Sequence, residues 1–320
     1  MTTYILRRLV LMIPVAFLVT IGVFVLVRLS PGDPAVVFAG EERDPAALAA
    51  IREQMGLDKP IPVQYVVWLG HLIQGDLGRS FQTHQRVLEA VVERLPATLE
   101  LGAAALFFSV TIALVIGILS AVKRNSVVDL VATSVTLAGV SFPSFFLGIV
   151  LILLFAYIVP GHIFPPGGYV PLDKDVGDNL RRLVLPAVTL ATASLAVNVR
   201  QIRSSLLDVF GQDYMRTARA KGLHERTVIS RHALKNALIP VVTLIGIQIG
   251  AIIEGAFITE QIFFWPGIGR LAVQAIPSGD YPVVQGVVLI SAFSYMMSTL
   301  LVDVLYARLD PRISYETAAV

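Results

Sequence analysis

The sequence predicts an all-α polytopic membrane protein with six transmembrane helices, and three observations carry that prediction. Hydrophobic residues make up 55% of the chain and charged residues 15%, against the ~25% charged that soluble domains carry. The mean hydropathy is +0.74. Several apolar runs also approach the ~20 residues a helix needs to cross a bilayer. The net charge of +2 is too small to imply nucleic-acid binding, so the information lies in where the basic residues sit. The chain has no cysteine, which excludes disulfides, thiolate nucleophiles and thiolate metal sites.

Taken in order, Arg7 and Arg8 precede an apolar run from Leu9 to Val27. That run is longer than a signal-peptide core, and no small-residue cleavage site follows it. It is read as an uncleaved first span within residues 1–29, its amino terminus held inside by the arginines. Residues 30–96 differ in kind. Acidic residues and Pro/Gly punctuation predict a small extracytoplasmic domain, including a short helix over 44–55 with Asp44 as N-cap and Pro45 at its first position.

Residues 97–306 form the transmembrane core. The second span runs from Ala97 to Val122 and leaves at Lys123-Arg124, a cytoplasmic turn. Val127 to Ile158 is apolar throughout. As one helix it would measure roughly 48 Å against a core of about 30 Å. Gly139 and Pro143 fall in its middle, so it is either one kinked span or a re-entrant pair. Parity favours one kinked span, because that returns the basic 200–235 segment to the inside. Pro160 to Arg182 is then an outside loop, Leu183 to Val199 the fourth span and Ile239 to Ile258 the fifth. Phe263 to Arg270 reads as an interfacial outside hairpin with an aromatic belt, its Gly267 and Gly269 making a tight turn. Val283 to Leu305 is the sixth span, and 307–320 a cytoplasmic tail.

The segment between spans four and five (about 203–238) carries the functional signal. From Asp213 to Pro240 it is polar, basic and helix-favouring. Tyr214, Ala218 and Leu223 fall roughly on one helical face, with Arg216 and Arg219 on another. Gly222 sits where a first short helix would end, and His224-Glu225 where a second would begin. A helix–Gly–helix elbow at a membrane face has the form of a docking surface for a soluble partner.

Catalytic signatures are missing. No Gly-x-x-x-x-Gly-Lys-Ser/Thr loop cradles phosphates, His224-Glu225 lacks the second histidine of a zinc protease helix, and no Gly-x-Ser-x-Gly occurs. Polar groups inside spans are costly and draw attention. Glu254 and Gln248 in the fifth span and Asn198 in the fourth are candidates to line a substrate path. Both amides could equally be interhelical glue.

Arg216-Thr217-Ala218-Arg219-Ala220-Lys221-Gly222, followed by His232-Ala233-Leu234, resembles the cytoplasmic loop motif of ABC importer permeases. Ala218, Gly222 and Leu234 match at the right spacing. Arg216, His232 and Lys235 depart from the general Glu, Ile and Pro. The longer string from Asp213-Tyr214 to Gly222 is the form of the dipeptide/oligopeptide branch, where those departures are usual. Pro31-Gly32-Asp33-Pro34, Gly75-Asp76-Leu77-Gly78, Pro96 to Leu101, Trp265 to Arg270 and Asp280 to Gly286 agree with the same branch. The resemblance therefore runs nearly end to end, with glutathione and dipeptide systems the most similar.

That resemblance implies the type I ABC importer permease fold and a non-catalytic subunit of a prokaryotic plasma membrane. The implied partners are a second, related permease, two ABC ATPases that hold the ATP and Mg, an extracytoplasmic substrate-binding protein and the lipid bilayer. No cofactor is expected on this chain itself. Arg216 to Gly222 would form the coupling helix that docks on an ATPase, with both termini cytoplasmic. The competing class is a self-sufficient ion-coupled carrier with Glu254 as its relay; it gives the elbow nothing to dock.

Overall fold

A computed structural model describes residues 2–29, 33–39, 44–159 and 163–309. Pro31-Gly32, Glu41, Glu42, the start of the 160–182 loop and the tail beyond 309 lie outside the described residues, as does the side chain of Glu254. The described residues form helices and turns, with one isolated antiparallel bridge between Arg79 and Arg86.

The long helices are α1 (Thr2–Leu29), α5 (Val87–Val122), α8 (Val176–Phe210), α12 (Ile239–Gly255) and α15 (Tyr281–Leu309). Between α1 and α5 lie α2 (Pro34–Ala39), α3 (Pro45–Gln54) and α4 (Ile61–Ile73). α6 (Val127–Ser141) and α7 (Ser144–Ile152) follow α5, and α7 ends in a π turn, Leu153–Ile158. α9 (Asp213–Ala220), α10 (Glu225–Thr227) and α11 (Leu234–Ala237) form the basic segment, with a second π turn at Val228–Ala233. α13 (Phe257–Ile262) and α14 (Ile268–Ala275) connect α12 to α15.

The most extensive interface pairs α5 with α8, and the sequence of α5 accounts for it. Ala97, Leu101, Ala105, Ser109, Ala113, Gly117 and Ala121 recur every four residues and are all buried. This mostly small stripe lets the two backbones approach closely, the usual means of association where hydrophobicity cannot drive it. At Gly117 a Cβ would meet Ile202 Cγ2 at 2.8 Å. α12 packs on α15, and α15 on α1. Arg8 pairs with Asp303 at 3.2 Å where α1 and α15 meet.

Among the described residues, four helices are long and apolar enough to cross a membrane, and a fifth if the pair over 225–250, bent by 50°, is one span. The third expected span, 127–158, is broken rather than merely kinked. α6 stops at Ser141, Phe142 is extended (φ −90°, ψ 131°), and Pro143 caps α7, because a residue before proline is driven out of the helical region. The path still runs antiparallel to α8. Asp129 meets Arg203, Gly139 faces Thr192, and Gly148 faces Thr189.

Two other helices start before the expected span edges. α5 begins at Val87, because Val87, Ala90 and Val91 are buried, and it carries Pro96 in its interior. α8 begins at Val176, capped by the Asp175 carboxylate, so 176–182 is helix rather than loop. The short helix after Asp44 forms as expected, its carboxylate accepting from Ala46 N and Pro45 opening the helix. The aromatic belt expected over 263–270 is overturned. Phe263 and Trp265 are fully buried and only Phe264 is exposed. The Trp265 indole N–H donates to Ala97 O at 2.7 Å, and its ring meets Tyr169 edge-on at 4.7 Å.

Candidate functional site

The basic elbow is anchored from below and open above. In α9, Met215 and Ala218 are buried; Tyr214, Arg216, Thr217, Arg219 and Lys221 are exposed, as is Leu223 beyond it. The expected Tyr214/Ala218/Leu223 face is therefore corrected: the seam is Met215 with Ala218, three residues apart on one side of the helix. Met215 and Ala218 join Val228, Ala233 and Ala237 in one core cluster with Ala113 and Ala121 of α5, Ile202 and Leu206 of α8 and Val241 of α12. Leu234 packs against this cluster, His232 is half-buried and Lys235 exposed.

Gly222 makes the turn. Its φ is +73°, a region open to glycine at little cost, and it donates to Arg219 O at 2.9 Å, closing α9. Nothing lies within 4 Å of where a Cβ would be. The turn is braced by Arg219, whose Nη2 and Nε lie 2.9 and 3.3 Å from the Glu225 carboxylate. That hydrogen bond and the guanidinium charge hold Glu225 below the ordinary carboxylate range. Asp213, in the first turn of α9, pairs loosely with Arg216 at 3.7 Å, both exposed. It also accepts through its carbonyl from the Thr217 hydroxyl at 3.2 Å. Asn236 donates to the Tyr214 hydroxyl at 2.8 Å, tying α11 to α9.

Beneath the elbow, Asp129 accepts both Arg203 nitrogens at 2.7 and 2.8 Å, the Asn125 N–H at 3.0 Å and the Ser120 hydroxyl. Ends of α5, α6 and α8 are thus joined by a largely buried, bidentate ion pair. An elbow packed into three long helices and presenting a basic outer face can transmit a push, because close-packed interiors transmit strain. It holds no nucleophile–base pair, and no group of three or more metal-ligating side chains occurs among the described residues.

The expected path residues separate into two cases. Asn198 and Gln248 form a reciprocal amide pair, Nδ2 to Oε1 at 3.1 Å and Nε2 to Oδ1 at 3.0 Å, and Asn198 also donates to Ser109 Oγ at 2.9 Å. With these groups satisfied between α5, α8 and α12, the pair acts as interhelical glue. For Glu254 the backbone lies in the last turn of α12.

Sequence reasoning missed a second set of polar clamps, on the opposite face. The buried Glu260 carboxylate accepts from Thr98 Oγ1 at 2.7 Å and from Arg270 N at 2.9 Å. Glu100 accepts from Tyr169 OH at 3.0 Å and Asn179 Nδ2 at 2.7 Å. Asp280 accepts from Phe81 N at 3.0 Å and from the Ser80 hydroxyl. The signal was present in the strings 96–101, 265–270 and 280–286, but only as motif. The partners lie up to 200 residues apart, beyond the reach of any local pattern.

A family model described as the inner membrane component of binding-protein-dependent transport systems matches residues 113–315, and its N-terminal companion matches 1–102. The chain is 43% identical to the di/tripeptide transport system permease DppB of Pseudomonas aeruginosa, over 99% of this chain and all of that one. It is 41% identical to the glutathione transport system permease GsiC of Salmonella typhi, with the same coverage. Among solved structures, an inward-facing MetNI methionine ABC transporter superposes at TM-score 0.54 with 18% identity, over 68% of this chain and 95% of that one.

Proposed function

The chain belongs to the family of binding-protein-dependent transport system inner membrane components and is the multi-pass permease subunit of an ABC importer, and from that premise we propose that it conducts short peptides, with glutathione in the same substrate class. The permeases named for di/tripeptide and glutathione transport support this substrate class. The ion-coupled carrier reading has no support in this family. In our reading the complex contains a second, related permease, two ABC ATPases and an extracytoplasmic binding protein. ATP and Mg reside on the ATPases, none on this chain, and both termini are cytoplasmic.

One observation carries the coupling role. The 213–222 elbow exposes Arg216, Thr217, Arg219, Lys221 and Gly222 while Met215 and Ala218 root it in the ends of α5, α8 and α12. An ATPase that seats on this surface and closes on ATP would move the elbow and the helices rooted to it as a unit. Access would then alternate by rigid-body motion.

The test is co-purification of the assembled transporter with Gly222→Asp and Gly222→Asn. No side-chain clash awaits either residue, since the space around Gly222 is open; Asn tolerates positive φ moderately well, whereas Asp also sets a carboxylate on the basic docking face. Asp should release the ATPases or uncouple their hydrolysis from transport, with Asn close to wild type. Retained ATPases with full coupling in the Asp variant would remove the elbow from the mechanism.

A further inference from the structure

Helix α4 (Ile61–Ile73) was expected in an extracytoplasmic domain, and its chemistry does not suit one. None of its residues is buried, yet it reads Ile-Pro-Val-Gln-Tyr-Val-Val-Trp-Leu-Gly-His-Leu-Ile. Thirteen residues span about 20 Å at 1.5 Å per residue, too short to cross a bilayer. An apolar helix of that length is a core helix, a re-entrant segment or an interfacial one, and the absence of burial excludes the core.

Its contacts set its depth. Tyr65 meets Phe17 and Phe24 edge-on at 6.0 and 5.3 Å, and its hydroxyl lies 2.8 Å from Thr20 Oγ1. Trp68 packs on Phe24 at 5.6 Å. Arg28 stands over the Phe24 ring at 4.2 Å and donates to Gln64 Oε1 at 3.0 Å. Phe24, Thr20 and Phe17 lie five, nine and twelve residues inside Leu29, the end of α1, so the side chains of α4 reach roughly 8–18 Å below that end at helical rise.

The helix is also sided. At 100° per residue, Gln64, His71 and Gln74 share one edge, and His71 meets Asp76 there at 3.5 Å. Tyr65, Trp68 and Leu72 face α1. Val63, Val66, Gly70 and Ile73 point away from α1, and Val66 and Ile73 are 66% and 78% exposed. Pro60 and Pro62 set one end, and Gly75, at φ +81°, turns the chain away at the other.

We propose that α4 is an interfacial helix of the leaflet where α1 ends, with lipid acyl chains covering its Val63/Val66/Ile73 face. Arg28 then sits at the headgroup level, where basic side chains anchor membrane proteins, and Trp68 and Tyr65 pack below it against α1. A binding protein or second permease on that face would need no such depth against α1. Charge argues the same way: the face carries no ionisable group, whereas the edge that does lies beside it.

This chain has no native cysteine, so it can be labelled singly and then combined with unlabelled partner subunits in the assembled transporter reconstituted in liposomes. Nitroxide labels are placed singly at V66C and I73C, with L18C on α1 as the lipid reference and E53C on α3 as the aqueous one. Collision with oxygen and with a water-soluble nickel chelate is measured for each, at ~5–10 Å expected depth below the headgroups. The expected result is oxygen-accessible, chelate-protected behaviour matching L18C. Chelate accessibility like that of E53C would overturn the proposal by placing α4 in water. Protection from both reagents would overturn it by showing a protein cover.

Discussion

At the scale of single residues, the Gly267-x-Gly269 pair shows how a weak motif acquires a physical reason. The sequence reading assigned it to a tight turn. In the structure, a Cβ on Gly267 would meet Glu260 Oε1 at 2.0 Å, and one on Gly269 would meet Phe257 Cδ1 at 2.3 Å. Both glycines exist to admit neighbours, and neither has a positive φ. Gly267→Ala should therefore destabilise the purified complex by about 1–3 kcal/mol, the range for overpacking. Gly222→Ala, strained only in its backbone at φ +73°, should cost less than that, about 1–2 kcal/mol. Parallel thermal melts in detergent compare them, and equal losses would refute the cradle. Tyr169 adds a pH dependence. Burial first, then its bond to Glu100, push its phenol up to about 12. A raised value means the neutral phenol is favoured on folding. Its contribution is complete below the ordinary value of 10.0 and is lost as pH rises through about 12. Phenolate absorbance of wild type minus Tyr169→Phe should show a late-titrating tyrosine; a transition at 10 would contradict it.

At the scale of elements, apolar run length located the helices and their loops, while packing set their ends. Pro143 marked the break in the third path, whereas the small-residue stripe of α5 showed itself only in the packing against α8. The early starts of α5 and α8 were not legible, since they depend on Val87 meeting Gly286 and on Asn179 reaching Glu100 across the fold. The elbow was visible through Gly222 and the basic periodicity, but its buried seam was assigned to the wrong residues: Met215, not Tyr214, faces inward. The bidentate Asp129–Arg203 pair had no local signal either. Removing one partner of a largely buried pair costs about 3–5 kcal/mol. Arg203→Ala should lower the stability of the complex by that order, because it leaves the 7%-exposed Asp129 carboxylate without its counter-charge, and Asp129→Ala by less, because Arg203, 30% exposed, can turn to water. The double variant should lose less than the sum; strict additivity would show the pair to be energetically idle.

At the scale of the whole molecule, two sets of polar clamps bracket a bundle of small-residue helix contacts. One braces the basic elbow to α5, α6 and α8, and the other ties the opposite-face loops to the starts of α5, α8 and α15. Mid-bundle, the Asn198–Gln248–Ser109 cluster joins α5, α8 and α12. Such an arrangement suits helices that tilt as units between two access states, with force entering at one face. Glu254 stays a path candidate on sequence grounds, and Glu254→Gln should lower peptide uptake in proteoliposomes with assembly intact; unchanged uptake would take it out of the path. In the proposed coupling, the ATPase acts on the exposed face of α9. A photo-cross-linker on a single cysteine at Thr217 (T217C), in a chain without native cysteine, tests it most directly in the assembled, ATP-hydrolysing complex. The expected result is a cross-link to an ATPase subunit whose yield changes between nucleotide-free and ATP-bound states. Cross-linking to lipid or to no partner, with peptide uptake still driven by ATP, would contradict it.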